Sequence, residues 1–176
     1  MNTQQQPASF NIILADDDTD DCSFFKEALK ELTMPTSLTV VHDGEQLMQL
    51  LSNETNQLPN AIFLDLNMPR KNGFECLTEI KHNTKLKQIP VIVYSTSFHN
   101  KIANMLYEAG AKYYISKPSE IANLKKAVQK MLKLIAAGNF EQPSKEDFLL
   151  TDERKNAKAY LWFKEFFVIP ASPDLN

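Results

Sequence analysis

Short apolar runs alternate along the chain with segments in which apolar residues recur every three or four positions. The runs predict β-strands and the periodic segments predict amphipathic helices. The predicted strands are Ile12–Ala15, Ser37–His42, Ile62–Leu64, Ile89–Tyr94 and Lys112–Ile115. The predicted helices are Asp20–Leu32, Asp43–Leu51 with Asp43 as cap, Gly73–Lys81, Asn100–Ala109, and a last one from after Ser119 to about Ala137. This alternation predicts an α/β fold, a doubly wound (βα)5 arrangement with a parallel five-stranded sheet.

The pattern divides the chain into three parts. Residues 1–9 are polar and rich in Gln, which predicts a flexible N-terminus, and residues 10–137 form the α/β domain. Residues 138–176 are predicted to be a linker and an extra C-terminal helix, Asp152–Phe167, which is dense in aromatic residues. That helix either folds back and extends the core of the domain, or docks one face on the domain and the other on a partner or a second copy. The apolar patch Phe148–Leu150 is a candidate anchor for the linker.

Composition narrows the function classes. Apolar residues make up 43% and charged residues 23% of the 176 residues, and the net charge is -3. These values are ordinary for a globular protein, and nucleic-acid binding is not expected because it needs a basic face. No apolar segment indicates a signal peptide or a membrane span, so a cytoplasmic protein is expected. The two cysteines lack metal-ligand spacing, and no disulfide is expected.

Polar residues follow the predicted strands where each strand ends. Asp16 and Asp17 come after the first strand, Asp65 after the third, Ser95 after the fourth and Lys117 after the fifth. The carboxyl ends of parallel strands meet at one side of the sheet, so these side chains are expected to converge. Carboxylate oxygens suit Mg²⁺, which would let a phosphoryl donor approach an anionic aspartate. Lysine and serine would supply a cation and a hydrogen-bond donor for the phosphoryl oxygens. The other acids of this region, Asp18, Asp20 and Asp21, are expected to serve only as helix caps.

These motifs resemble the response-regulator receiver domain of two-component phosphorelays, over about Phe10–Ala137. They are the acidic pair, the Asp-Leu-Asn-Met-Pro sequence with a following Gly, the hydroxyl residue after strand four and Lys-Pro after strand five. The resemblance implies a CheY-like, flavodoxin-like strand order 2-1-3-4-5. It also implies that Asp65 is the phosphoacceptor, that Asp16 and Asp17 organise Mg²⁺, and that Asn67 offers the metal a backbone carbonyl.

Four further roles follow from the same resemblance. Ser95 matches the switch hydroxyl that turns toward the phosphoryl group, and Lys117 matches the lysine that pairs with a phosphoryl oxygen. Tyr114 matches the aromatic switch position, which rotates inward when Ser95 moves. Thr96 stands where the family sets access to the phosphoryl group and where a smaller residue is common.

The implied protein is a signalling phosphoprotein rather than an enzyme with turnover. Its expected partners are a histidine kinase or a histidine phosphotransfer protein and an unknown downstream protein target, with a homodimer possible. No DNA-binding output module is recognisable after Ala137.

Three other functions fit the sequence less well. A phosphoaspartate hydrolase needs a second aspartate two residues after the nucleophile, and Asn67 cannot shuttle a proton there. A flavodoxin-type nucleotide binder needs a Gly-rich phosphate loop after strand one, and the chain has only four glycines. The remaining alternative is a non-phosphorylated scaffold that acts through its C-terminal helix.

Overall fold

The computed structural model describes residues 9–53, 57–96, 100–139 and 141–150. The N-terminal residues 1–8 and the predicted helix Asp152–Phe167 lie outside these ranges. Within them, no helix has both the length and the apolar content that crossing a bilayer requires.

In the described part of the chain, six parallel strands and five α-helices alternate. The strands are β1 Phe10–Ala15, β2 Thr36–Val41, β3 Ala61–Leu64, β4 Val91–Ser95, β5 Tyr113–Ser116 and β6 Leu149–Leu150. The helices are α1 Thr19–Lys30, α2 Gly44–Ser52, α3 Gly73–His82, α4 Asn100–Glu108 and α5 Ile121–Ala136. The strand order is β2-β1-β3-β4-β5-β6, which confirms the predicted order for the first five strands. The predicted element boundaries agree with the structure to within about three residues.

The sheet separates two apolar layers, as a doubly wound fold requires. On one face, side chains of α2, α3 and α4 pack on alternate residues of the strands, and on the other face α1 and α5 do so. Strands β3 and β4 are buried along their whole length because helices cover both of their faces. Because both sequences are continuous apolar runs, these two strands could be predicted from the sequence.

Polar caps start the first three helices. Asp18 accepts hydrogen bonds from the backbone N–H groups of Asp20 and Asp21 at the start of α1. Asp43 caps α2 as predicted, and Asn72 caps α3 through a capping box with Glu75. These caps satisfy N–H groups that a helix leaves unpaired, and they fix where each helix leaves the sheet.

A sixth strand corrects the five-stranded prediction. After α5, a 3₁₀ helix (Lys145–Asp147) leads into β6, which pairs in parallel with β5. Residues 141–150, here called the strap, also bond to the end of α4: the Gln142 side chain donates to the carbonyl oxygens of Tyr107 and Ala111, both over 2.8 Å. The prediction missed this strand because two residues are too short for an alternation pattern. Its anchor, the Phe148–Leu150 patch, was identified correctly: Phe148 and Leu149 are buried.

Candidate functional site

Three carboxylates meet at the carboxyl end of the sheet. Asp16 follows β1 directly and is fully buried, and Asp65 follows β3 and is 5% exposed. Asp17 is exposed beside them. Each of the three offers a carboxylate oxygen that lies within 4.8 Å of the others. Like charges this close repel one another, so the cluster needs a cation.

Lys117 supplies one cation from within the chain. Its Nζ lies 2.7 Å from Asp16 Oδ2 and 2.7 Å from Asp21 Oδ2, and 3.8 Å from Asp65 Oδ1. The side chain is only 7% exposed. Its backbone N–H donates to the Ser95 carbonyl oxygen over 3.0 Å, which holds the residue at the end of β5 beside β4. The predicted convergence of lysine and acids therefore occurs in the structure.

Burial and ion pairing shift the pKa values of this cluster. Burial lowers the pKa of Lys117, but hydrogen bonds to Asp16 and Asp21 and the charge of Asp65 outweigh it and raise the pKa to about 12. Burial raises the pKa of Asp16, and the hydrogen bond from Lys117 offsets part of this rise. The lysine is therefore a permanent cation at neutral pH.

The loop between β3 and α3 packs against Asp65 and bonds to it. The Asn67 backbone N–H donates to Asp65 Oδ2 over 3.1 Å, and the Gly73 N–H donates to the Leu66 carbonyl oxygen over 3.0 Å. A Cβ on Gly73 would lie 2.1 Å from the Asp65 carbonyl oxygen. Only glycine allows this close approach of α3 to the strand end. The Gly that follows the Asp-Leu-Asn-Met-Pro sequence is therefore a packing requirement.

The hydroxyl and aromatic positions lie on β4 and β5. Ser95 is fully buried at the end of β4, and the exposed Thr96 follows it. Burial raises the pKa of Tyr114 to about 12, and an interaction with the Ser95 side chain acts in the opposite direction. The Tyr114 ring is fully buried. Phe148 and Leu149 of the strap pack in the same apolar layer as Tyr114, so the strap covers the candidate switch position.

An open acidic groove gives solvent access to this cluster. Its lining residues are Asp17, Asp18, Thr19, Asp20, Asp21, Asp65, Asn67, Thr96 and Lys117. Asn67 and Thr96 therefore line the same groove as Asp65.

Sequence reasoning missed two contacts of the cluster. Asp21 was expected to be only a capping residue, but Asp18 alone provides the cap and Asp21 pairs with Lys117. Tyr94 was counted as an ordinary strand residue, but Lys117 Nζ lies 5.3 Å from the centre of its buried ring. No local pattern marks Asp21, because its partner lies 96 residues further along the chain.

The donor set fits a hard divalent cation. Asp16, Asp17 and Asp65 present carboxylate oxygens at a spacing that small adjustments would bring onto one ion, and the groove leaves room for water ligands. Hard cations prefer such oxygen ligands and retain several waters. A bound cation would offset the repulsion among the three acids.

Fold and site together define a phosphorelay signalling domain with a parallel α/β sheet and an acidic strand-end site. The family model described as "Response regulator receiver domain" matches residues 12–129. The chain belongs to this family. It is 38% identical over 122 residues to the response regulator Rcp1 of Synechocystis, which covers 67% of this chain and 83% of Rcp1.

Solved structures agree with this assignment. The phosphorylated cyanobacterial phytochrome response regulator RcpA superposes with a TM-score of 0.67 at 33% identity, covering 74% of this chain and 96% of RcpA. The Mn²⁺-bound form of Rcp1 superposes with a TM-score of 0.65 at 34% identity, covering 77% of this chain and 99% of Rcp1. The predicted family and fold are thereby confirmed, and the chain is a phosphoacceptor response regulator.

Proposed function

We propose that Asp65 is the residue that accepts the phosphoryl group. The observation that carries the proposal is the position of its carboxylate, which stands at the groove with two acids and one buried lysine around it. In the transfer, an Asp65 carboxylate oxygen forms a bond to phosphorus as the bond from phosphorus to the donor nitrogen breaks. The imidazole of the donor keeps the electron pair of that bond.

The surrounding residues divide the remaining tasks. Lys117 and the hydroxyl of Ser95 stabilise the negative charge on the phosphoryl oxygens. Asp16, Asp17 and Asp65, with the Asn67 carbonyl, would hold Mg²⁺, whose charge would shield the acceptor from the charge of the donor. Lys117, Ser95 and the metal would together stabilise the negative charge of the phosphoryl oxygens, as phosphoryl transfer requires.

Two residues that line the groove set how long the phosphoryl group lasts. Asn67 lacks the proton-transfer ability of an aspartate, and the Thr96 side chain narrows the approach of water to the phosphorus. The product is a lasting signal rather than an intermediate of rapid turnover.

The phosphoryl donor is a histidine kinase or a histidine phosphotransfer protein. Membership of the receiver family supports this proposal. Two relatives add to it, since RcpA is described as phosphorylated and Rcp1 as bound to Mn²⁺. The phosphorylated chain then signals to a protein target through the region of β5 and Tyr114.

Intact mass after incubation with acetyl phosphate and Mg²⁺ tests the proposal. The expected result is a gain of one phosphoryl group in the parent and none in Asp65→Asn. Omitting Mg²⁺ or adding a chelator is expected to abolish the gain. A parent that stays unmodified while folded, or an Asp65→Asn variant that gains the same mass, contradicts the assignment. The first result would favour the scaffold alternative, which relies on residues outside the described ranges.

A further inference from the structure

The Lys117 ammonium group is shared between two acids, and neither is the proposed acceptor. Its Nζ is equally close to Asp16 and Asp21, at 2.7 Å, whereas Asp65 lies at 3.8 Å. Asp21 belongs to the first turn of α1, and its side chain is 33% exposed. The lysine therefore reaches across from β5 to α1 before any phosphoryl group is present.

Donor counting shows what a phosphoryl group on Asp65 would meet. A lysine ammonium has three N–H donors and no acceptor. Two donors are engaged by Asp16 and Asp21, and the distance to Asp65 exceeds that of a hydrogen bond. One donor therefore remains for a phosphoryl oxygen, which must share the charge of Lys117 with Asp16 and Asp21.

Charge acts in the same direction. Asp21 is a fixed anion beside the lysine, so it neutralises part of the positive charge that the phosphoryl group needs. It would also repel a phosphoryl group on Asp65 directly, because Asp21 and Asp65 line the same groove. Both effects favour the unphosphorylated site over the phosphorylated one.

We propose that Asp21 competes with the phosphoryl group for Lys117 and thereby limits the stability of the phosphorylated state. The inference rests on the proposed phosphorylation of Asp65. Asp21 is a positioning residue, since it acts only through the lysine. It gives this chain a regulator of signal lifetime that lies on α1, in addition to Asn67 and Thr96.

The chain offers a matched control for this proposal. Asp20 lies in the same helical turn, is exposed and makes no ion pair with Lys117. Neither Asp20 nor Asp21 provides the cap of α1, which is Asp18. Asp20→Asn and Asp21→Asn therefore remove the same charge from the same turn, and only the second removes an ion pair with Lys117.

Titration with beryllofluoride and Mg²⁺, a non-covalent mimic of the phosphoryl group, tests the proposal, with binding followed by calorimetry. Asp21→Asn is expected to bind about three to five times more tightly than Asp20→Asn, the ratio that a partly exposed ion pair supports. The half-life of the acetyl phosphate product is expected to lengthen in the same variant. Asp21→Ala, which also removes hydrogen bonding, is expected to change affinity in the same direction.

The outcomes separate this inference from the proposed function. If the parent binds no beryllofluoride, the phosphorylation of Asp65 is wrong. If the parent binds it and Asp65→Asn does not, but Asp21→Asn matches Asp20→Asn or binds more weakly, then only the role of Asp21 is wrong. Unfolding of both Asp21 variants, seen in thermal melts, would also overturn the proposal, because Asp21 would then maintain the fold instead of tuning the site.

Discussion

The backbone N–H of Tyr114 donates a hydrogen bond to the Phe148 carbonyl oxygen over 2.9 Å. This bond joins the strand that carries the candidate switch residue to the strap. The Phe148 side chain is 1% exposed, and its ring centre lies 5.3 Å from that of Tyr107 on α4. The strap therefore contacts β5 through its backbone and α4 through an aromatic ring. Residues 141–150 thus connect the strand that carries Tyr114 to α4.

Phe148→Ala is expected to lower the free energy of unfolding by about 3 to 5 kcal/mol, since it empties a filled aromatic site. Urea denaturation measures this loss, and Glu146→Ala, an exposed change in the same 3₁₀ helix, is the control and should have little effect. A Phe148→Ala variant as stable as the control would mean that the strap detaches from α4 in solution.

Gly73→Ala is expected to lower the free energy of unfolding by about 1 to 3 kcal/mol, because its Cβ would overlap the Asp65 carbonyl oxygen. The strand end must shift to relieve the overlap, so the rate of labelling by acetyl phosphate should fall as well.

Gly138→Ala is the control for this change. Gly138 also requires glycine for its positive φ of 72°, but a Cβ there would meet no atom within 4 Å. The Gly138→Ala variant is expected to lose about 1 kcal/mol in free energy of unfolding and to keep the parent's labelling rate. Equal labelling rates in the two variants would argue against a tight coupling between α3 and Asp65.

Arg70→Ala is expected to lower the free energy of unfolding by about 1 to 2 kcal/mol, because a buried carboxylate loses a charged donor. Arg70 forms an ion pair with Asp43, which is fully buried at the start of α2, while the arginine side chain is 57% exposed. Asp43 keeps its bonds from Gln46, which limits the loss.

A second variant at the same position separates ion pairing from backbone strain. Arg70 has a φ of 65°, which is costly for a residue other than glycine. Arg70→Gly removes the ion pair and the strain together. Its free energy of unfolding, measured in urea, should therefore fall by less than that of Arg70→Ala. The reverse order of stabilities would rule out strain at this residue.

The unfolding free energy is expected to rise with pH above about 8 because of Lys81. Burial, and then the charge of Lys112, lower the pKa of Lys81 from 10.5 to about 8. Between these values the unfolded chain binds more protons than the folded one, so raising the pH favours folding. The cost of the charged lysine is present in full below pH 8 and disappears toward pH 10.5.

Subtracting the unfolding free energy of Lys81→Met from that of the parent isolates this contribution. The difference, measured in urea at pH 7, 8.5 and 10, should grow with pH in favour of the parent. Lys85→Met, at an exposed lysine nearby, is the control for removing a lysine charge from this region. A flat difference for Lys81 would mean that the hydrogen bonds from its ammonium group to the Lys87 and Ile89 carbonyl oxygens offset the effect of burial.

The order of elements and most of the site were predictable because both depend on local patterns. Buried parallel strands are continuous apolar runs, and their carboxyl ends must meet, so Asp16, Asp65 and Lys117 could be brought together from sequence. The contact between Asp21 and Lys117 depends on a side-chain reach across the groove, which no periodicity encodes. The same holds for β6, whose two residues are defined by their partner strand rather than by their own pattern.

The strap has one more consequence, which concerns solubility. By pairing with β5, residues 149–150 occupy backbone groups that would otherwise lie open along an apolar outer strand. Such open strands are templates on which other chains add, and proteins commonly cover or interrupt them. A fragment cut at Ala137 would lose this cover while retaining Tyr113–Ser116. This fragment is therefore expected to aggregate more readily than the full chain. The strap thus protects the domain from self-association through β5.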